Sequence, residues 1–200
     1  MIRSGTPLTG VSPPAAGYSA PMSRTALIVV DMISSYEHAD AEKLTRSVER
    51  TLPAMSALID RARAEEVLTI YVNDNYGDWN SDRHELVRTA LAGRFPDLVE
   101  SIAPRDDDLF VVKARHSIFY GTPLEYLLGQ EEVDRLVLIG QVTEQCILYS
   151  ALDAYVRRLR IGVPRDGVAH IHEHLADASL ELMELNMNAD VCDVAGVSWA

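Results

Sequence analysis

The stretch 135–155, RLVLIGQVTEQCILYSALDAY, decides the fold of this chain. Its apolar run 136–140 is too short for a helix and ends in glycine, which predicts a strand buried on both faces. From Glu144 onward, apolar residues recur at three- and four-residue spacing, which predicts a helix. A doubly buried strand that leads directly into a helix is typical of a parallel sheet.

Cys146 falls in the first turn of this predicted helix. Backbone amides of that turn lack partners within the helix, and the helix dipole favours negative charge beside them. Both effects lower the pKa of a cysteine below its free value of about 8.5 and favour the nucleophilic thiolate. A lone cysteine is otherwise a small buried hydrophobic residue. Cys146 is therefore a candidate nucleophile only if the fold brings partners to it.

Two other predicted strands end in opposite charges. The apolar run 25–30 ends at Asp31, and the run 109–112 ends at Lys113. In open parallel sheets ligands bind beyond the carboxyl ends of the strands, so these side chains are expected to converge with Cys146 at one edge. A purely structural ion pair between Asp31 and Lys113 is the alternative interpretation.

Strands and helices alternate along the rest of the chain. Further strands are expected at 67–72, 160–164 and 190–194, and helices at 40–64, 85–92, 123–128 and 175–187. The alternation predicts an α/β fold with a mostly parallel sheet and helices on both faces. Residues 23–200 are interpreted as one domain, and residues 1–22 as an N-terminal extension, flexible or held against it, whose role the pattern does not indicate.

Composition narrows the classes of partner. The formal charge of −12 repels phosphate backbones and argues against nucleic acid, and no apolar run approaches the roughly 20 residues of a membrane span. Only two cysteines occur, Cys146 and Cys192, in no metal-ligand spacing. The start of the chain lacks a secretory pattern, so a soluble cytoplasmic protein with a small-molecule substrate is expected.

Three motifs in order resemble the isochorismatase-like cysteine hydrolases, which include nicotinamidases and N-carbamoylsarcosine amidase. These motifs are VVD after the first strand, VVKARHSIFYGTPLE at the third and LIGQVTEQCILYSALDAY at the fourth. The resemblance runs from about Thr25 to Val194. It implies a three-layer α-β-α fold around a six-stranded, mostly parallel sheet, and a homodimer or homotetramer.

The resemblance also implies a catalytic site. Cys146 would be the nucleophile, Asp31 the base that takes its proton and Lys113 the cation beside them, with an acyl-thioester intermediate. The peptide bond between Gln141 and Val142 would be cis. The backbone N–H groups of Val142 and Cys146 would then form an oxyanion hole.

The chain departs from the family pattern in the expected pocket. The loop NDNYGDWNSDRHE after the second strand lacks the Asp-x-His motif with which nicotinamidases hold a metal, so no metal and no cofactor are expected. The expected pocket residues are Tyr36, Asn75, Trp79, Phe119 and Tyr149. His170, His172 and His174 alternate before a helix, where they either serve the helix start or bind a metal.

These features together predict a metal-independent cysteine hydrolase that cleaves a C–N bond of a small amide, carbamoyl or lactam compound. An isochorismatase-type enol-ether hydrolase, which needs an acid and no thiol, is the first alternative. A non-catalytic binding protein that keeps the fold is the second. The sequence does not name the substrate.

Overall fold

The computed structural model describes residues 24–200, so the interpretation of residues 1–22 lies outside the described part. Within it, the chain forms one six-stranded sheet in the order β3-β2-β1-β4-β5, with a short β6 also paired to β4, and all pairs are parallel. The strands are β1 (Arg24–Val30), β2 (Leu68–Asp74), β3 (Leu109–Lys113), β4 (Val133–Gln141), β5 (Arg160–Gly162) and β6 (Val168–Ala169).

Six α-helices within residues 24–200 flank the sheet. They are α1 (Ala41–Ala64), α2 (Arg83–Leu91), α3 (Asp97–Glu100), α4 (Leu124–Gln130), α5 (Leu148–Val156) and α6 (Glu173–Met187). Buried side chains of α1, α2 and α3 pack on one face of the sheet, and those of α4, α5 and α6 on the other. The three-layer arrangement predicted from the sequence is therefore confirmed.

Strand β1 lies at the centre of the molecule. Six of its seven residues are buried, because β1 pairs with β2 on one side and β4 on the other while helices cover both faces. Alternate residues such as Leu27 and Ile28 belong to the two opposite hydrophobic cores. This explains why the run is apolar throughout instead of alternating with polar residues.

The register of the strands brings their carboxyl ends to one edge. Val30 pairs with Val72 on β2 and with Gly140 on β4, and Asp74 pairs with Lys113 on β3. Gly140 has a φ of +116°, and a Cβ there would lie 2.2 Å from the Val30 carbonyl oxygen. Only glycine therefore permits this approach of β4 to the end of β1.

The sixth strand is not the one that the sequence suggested. The expected strand 190–194 is reduced to a single bridge between Gly162 and Asp190, and Val168–Ala169 pairs with β4 instead. Two apolar residues are too short a run to be recognised from sequence periodicity. Among residues 24–200, no helix combines the length and apolar character needed to cross a bilayer.

The helix after β4 also differs in detail. It begins with a π-helical turn, Thr143–Ile147, and continues as α5. On α5, the predicted apolar stripe is only partly buried: Ala151 is inaccessible, whereas Leu152 and Tyr155 are 48% and 45% exposed. The three- and four-residue spacing thus identified the helix but not the full extent of its buried face.

Candidate active site

Asp31, Lys113 and Cys146 meet at the carboxyl edge of the sheet. The Lys113 ammonium lies 2.8 Å from Asp31 Oδ2 and 3.7 Å from Cys146 Sγ, and the thiol is hydrogen-bonded to the Asp31 carboxylate. All three residues are buried. A base, a cation and a sulfur nucleophile therefore share one enclosed site, which is the arrangement that activates a cysteine for attack on a carbonyl.

Backbone and side-chain contacts hold the Asp31 carboxylate in position. Asp31 adopts a φ of +54° directly after β1, and its N–H donates to the Val72 carbonyl oxygen at 3.0 Å. The Asp74 N–H donates to Asp31 Oδ1 at 2.7 Å, and Gln141 Nε2 donates to the Asp31 carbonyl oxygen at 2.6 Å. Both neighbours of β1 thus position this base.

Cys146 lies in the π-helical turn that follows β4. The Gln141–Val142 peptide bond, at the position that the resemblance indicated, is cis. The Val142 carbonyl oxygen accepts the N–H groups of Gln145 at 3.0 Å and Ile147 at 3.2 Å, and the Val142 N–H donates to the Cys146 sulfur. A backbone N–H donor therefore lies beside the sulfur to which a reacting carbonyl carbon would bond.

The charges of the site are strongly coupled. Burial raises the pKa of the Cys146 thiol, and the nearby Asp31 carboxylate raises it further. Burial also raises the pKa of Asp31, although Lys113 opposes that effect. Burial alone would lower the pKa of Lys113, but its attraction to Asp31, Cys146 and Asp74 raises it.

This coupling corrects the sequence-based expectation of a lowered thiol pKa. The expectation counted the amides of a helix start and the cation, but it omitted burial and the negative charge of the base itself. The Asp31 carboxyl group and the Cys146 thiol therefore titrate as one coupled pair beside the Lys113 ammonium.

Two groups beyond the predicted trio also lie at the site. Asp74 Oδ2 lies 3.4 Å from the Lys113 ammonium, and His116 Nδ1 lies 3.7 Å from Cys146 Sγ. Asp74 was expected in a solvated polar loop because the second strand was expected to end two residues earlier. His116 follows the charged end of β3 by three residues, so the strand-end rule that identified Lys113 would have included it.

A cleft opens beside these residues, beyond the ends of β2 and β3. One part, of about 390 Å³, reaches Lys113, and an adjoining part, of about 510 Å³, reaches Asp74 and His116. Asn75 and Trp79, two expected pocket residues, line both parts together with Tyr120. Arg115 lines the second part, and its guanidinium contacts no acceptor in the range 24–200.

The other three expected pocket residues do not line these two parts of the cleft. Tyr36 is fully buried, with its hydroxyl 3.3 Å from Gln141 Oε1 and its ring edge-on to Phe95. Phe119 is also buried, under the guanidinium of Arg157. Both are core residues, because neither has the exposed ring face that a substrate would contact. Tyr149 is 44% exposed and packs on His116, at 5.4 Å between ring centroids.

The three alternating histidines do not converge. His170 contacts Arg50, at 3.4 Å, whereas His172 lies 3.6 Å from Glu144 Oε1 and precedes α6. His174 lies within that helix, with its ring edge-on to His172. Glu144 Oε1 accepts the backbone N–H groups at positions 171 and 172, so this segment is tied to the turn that carries Cys146.

The donor set that nicotinamidases use for a metal is also not reproduced. Asp74 contacts Lys113 and the Tyr76 N–H, and His84 lines a separate cleft on α2. No cluster of three or more His, Cys, Asp or Glu side chains suited to a metal occurs in the described part of the chain. The residues present do not fit that metal.

Comparison with known proteins identifies the family. The model of the isochorismatase domain matches residues 25–196. This chain belongs to the isochorismatase family. The uncharacterized isochorismatase family protein YaaI of Bacillus subtilis is 34% identical over 166 residues, which cover 83% of this chain and 92% of that protein.

Solved structures of the family have the same fold. The N-carbamoylsarcosine amidase of Thermoplasma acidophilum superposes with a TM-score of 0.67 at 26% identity, covering 88% of this chain and 99% of that one. The nicotinamidase of Staphylococcus aureus superposes with a TM-score of 0.66 at 25% identity, covering 86% and 98%. This isochorismatase-family chain is thus a hydrolase of a group that includes amidases and nicotinamidases.

Proposed function

We propose that this isochorismatase-family protein is a cysteine hydrolase that cleaves the C–N bond of a small amide, carbamoyl or lactam compound through an acyl-thioester. The observation that carries the proposal is the contact of Cys146 Sγ with both the Asp31 carboxylate and the Lys113 ammonium. The similarity to an N-carbamoylsarcosine amidase supports the same class of bond.

In the acylation step, Asp31 takes the thiol proton while Cys146 Sγ attacks the carbonyl carbon. The C–N bond then breaks, and Asp31 passes the proton to the leaving nitrogen, which restores the carboxylate. Lys113 stays charged throughout and offsets the negative charge that moves between Asp31 and the sulfur. Water then cleaves the thioester and releases the acid.

We assign the developing oxyanion to backbone donors. The Val142 N–H already faces the sulfur, and the Cys146 N–H belongs to the same turn. One such donor contributes roughly 3 kcal/mol when it is aimed at the oxyanion of the transition state. Because the metal ligands of nicotinamidases are not reproduced here, no step of the mechanism passes through a metal.

The proposal is tested by screening small amides and carbamoyl compounds for released ammonia. The natural chain is expected to release ammonia from at least one class, and Cys146→Ala is expected to abolish the release. Cys192→Ala is the matched control, because Cys192 is half-buried and packs beside Gly196. Unchanged turnover by Cys146→Ala would refute the thioester mechanism.

One observation favours a second candidate, enol-ether hydrolysis. Burial raises the pKa of Asp31, and a protonated carboxyl group is the acid which that reaction requires. Under this alternative, isochorismate cleavage survives Cys146→Ala and is lost in Asp31→Asn. A binding protein without catalysis would show neither activity, so the two variants separate all three functions.

A further inference from the structure

A second proton-accepting side chain contacts the catalytic sulfur. His116 Nδ1 lies 3.7 Å from Cys146 Sγ, the same distance as that from the Lys113 ammonium. His116 is exposed and lines the cleft, whereas the side chain of Asp31 is only 10% exposed. The sulfur therefore has one proton acceptor on its buried side and another that solvent can reach.

The two acceptors differ in what they can contact. Both Asp31 oxygens are already engaged, Oδ1 by the Asp74 N–H and Oδ2 by the Lys113 ammonium. The cleft is the opening beside the site, and of the two proton acceptors that contact the sulfur, His116 is the one that borders it. A water molecule aimed at an acyl group on Cys146 therefore meets the imidazole before the buried carboxylate.

The imidazole is also held in place. The His116 ring packs on Tyr149, three residues after Cys146, at 5.4 Å and an interplanar angle of 46°. The following residue, Ser117, is hydrogen-bonded to the Asp153 carboxylate on α5, and the Ile118 N–H donates to Ser150 Oγ at 3.1 Å. One helix thus carries the nucleophile and anchors the segment that presents the imidazole.

We propose that His116 is a catalytic residue of the second half-reaction, as the general base that activates water for deacylation. The inference rests on the thioester mechanism proposed above. His116 Nδ1 takes one proton from water as the oxygen bonds to the acyl carbon. The C–S bond then breaks, the acid is released, and the same nitrogen returns the proton to the departing sulfur, which restores the thiol.

The experiment uses p-nitrophenyl acetate, which acylates reactive thiols without a known substrate. A burst of nitrophenol reports acylation of Cys146, and the following steady rate reports deacylation. His116→Gln is expected to keep the burst and to lower the steady rate about 100-fold. Intact-mass spectrometry should show that acetylated Cys146 persists about 100-fold longer in this variant than in the natural chain.

Two further measurements distinguish a catalytic role of His116 from a purely structural one. After subtraction of its own hydrolysis of the ester, measured with Cys146→Ala, added imidazole should restore the steady rate of His116→Ala, which a merely structural histidine would not show. His84→Gln, a matched change on the exposed surface of α2, should behave as the natural chain. Equal slowing of burst and steady rate in His116→Gln, or no effect on either, would overturn the inference.

Failure of the proposed function gives a different pattern. In that case neither a burst nor acetylated Cys146 is seen in the natural chain, and the inference about His116 falls with it. A burst that depends on Asp31 but a steady rate that does not depend on His116 would leave the thioester mechanism intact. That result would assign deacylation to Asp31 alone and reject the role of His116.

Discussion

Lys113 places its ammonium nitrogen 2.8 Å from Asp31 Oδ2, although β2 separates the strands that carry these two residues. The lysine side chain crosses the end of β2, where Asp74 Oδ2 is 3.4 Å away. Neighbouring strands lie roughly 4.8 Å apart, so only a long cationic side chain spans this gap. The cation is thus shared by two carboxylates and contacts the thiol as well.

Removal of Lys113 should destabilise the fold. Lys113→Met leaves the buried Asp31 carboxylate without its cation, and breaking a buried ion pair costs about 3–5 kcal/mol. Urea unfolding is expected to show a loss of this size for Lys113→Met and a smaller loss for the double variant with Asp31→Asn. Lys43→Met, on the exposed side of α1, is the control. A double variant as unstable as the single one would contradict the pairing.

The pH dependence of thiol alkylation should report the charge of Asp31. This charge raises the pKa of Cys146, so removing it in Asp31→Asn lowers that pKa. The midpoint of iodoacetamide labelling at Cys146 should therefore move to lower pH in Asp31→Asn and to higher pH in Lys113→Met. Mass spectrometry resolves Cys146 from Cys192, which serves as an internal reference. An upward shift in Asp31→Asn would refute the assignment.

Gly140 should tolerate no side chain. An added Cβ would lie 2.2 Å from the Val30 carbonyl oxygen, at a φ that other residues rarely adopt. Gly140→Ala is expected to cost at least about 3 kcal/mol in chemical denaturation or to prevent folding. Gly129→Ala, in α4 with open space around it, should instead be neutral or stabilise by up to about 1 kcal/mol. Similar effects at both positions would contradict the close approach of β4 to β1.

Arg115 should favour anionic reagents in the cleft. Its guanidinium has no acceptor within residues 24–200, so its charge is open to whatever enters. Arg115→Gln is expected to lower the rate of Cys146 alkylation by iodoacetate, relative to neutral iodoacetamide. The expected change is about threefold, which corresponds to ~0.7 kcal/mol for unit charges about 6 Å apart in water.

A control variant distinguishes a local field from the net charge of the protein. Arg46→Gln makes the same change of charge on the exposed surface of α1 and should leave the ratio of the two rates unaltered. High salt should weaken the preference of the natural chain, because it screens exposed charges. Equal ratios in Arg115→Gln and the natural chain would show that Arg115 does not act on the sulfur's surroundings.

Sequence patterns were sufficient for strands β1 to β5 and for the meeting of charged strand ends. Runs such as 25–30 and 136–140 are apolar throughout because helices cover both faces of the sheet, and this burial makes them recognisable. The meeting of Asp31 and Lys113 then follows from topology, because the carboxyl ends of parallel strands lie at one edge of the sheet.

Side-chain environments could not be read in the same way. Tyr36 follows Asp31 by five residues and was expected at the pocket. Its backbone instead has a φ of +56°, and its ring is buried in the core. The raised pKa of Cys146 depends on how many atoms cover the sulfur, which no local pattern encodes. The two-residue β6 was missed because it is shorter than the period that identifies a strand.

The loop 77–81 at the edge of the cleft is held independently of the residues beneath it. Asp74 and Tyr76 are tied inward, by the Asp74 N–H to Asp31 and by the Tyr76 hydroxyl to the Ile33 carbonyl oxygen. Asp82 caps α2 through the Glu85 N–H. Residues 77–81 therefore form a loop whose two ends are fixed. Replacing this loop with related loops offers a route to altered selectivity that leaves Asp31, Lys113 and Cys146 unchanged.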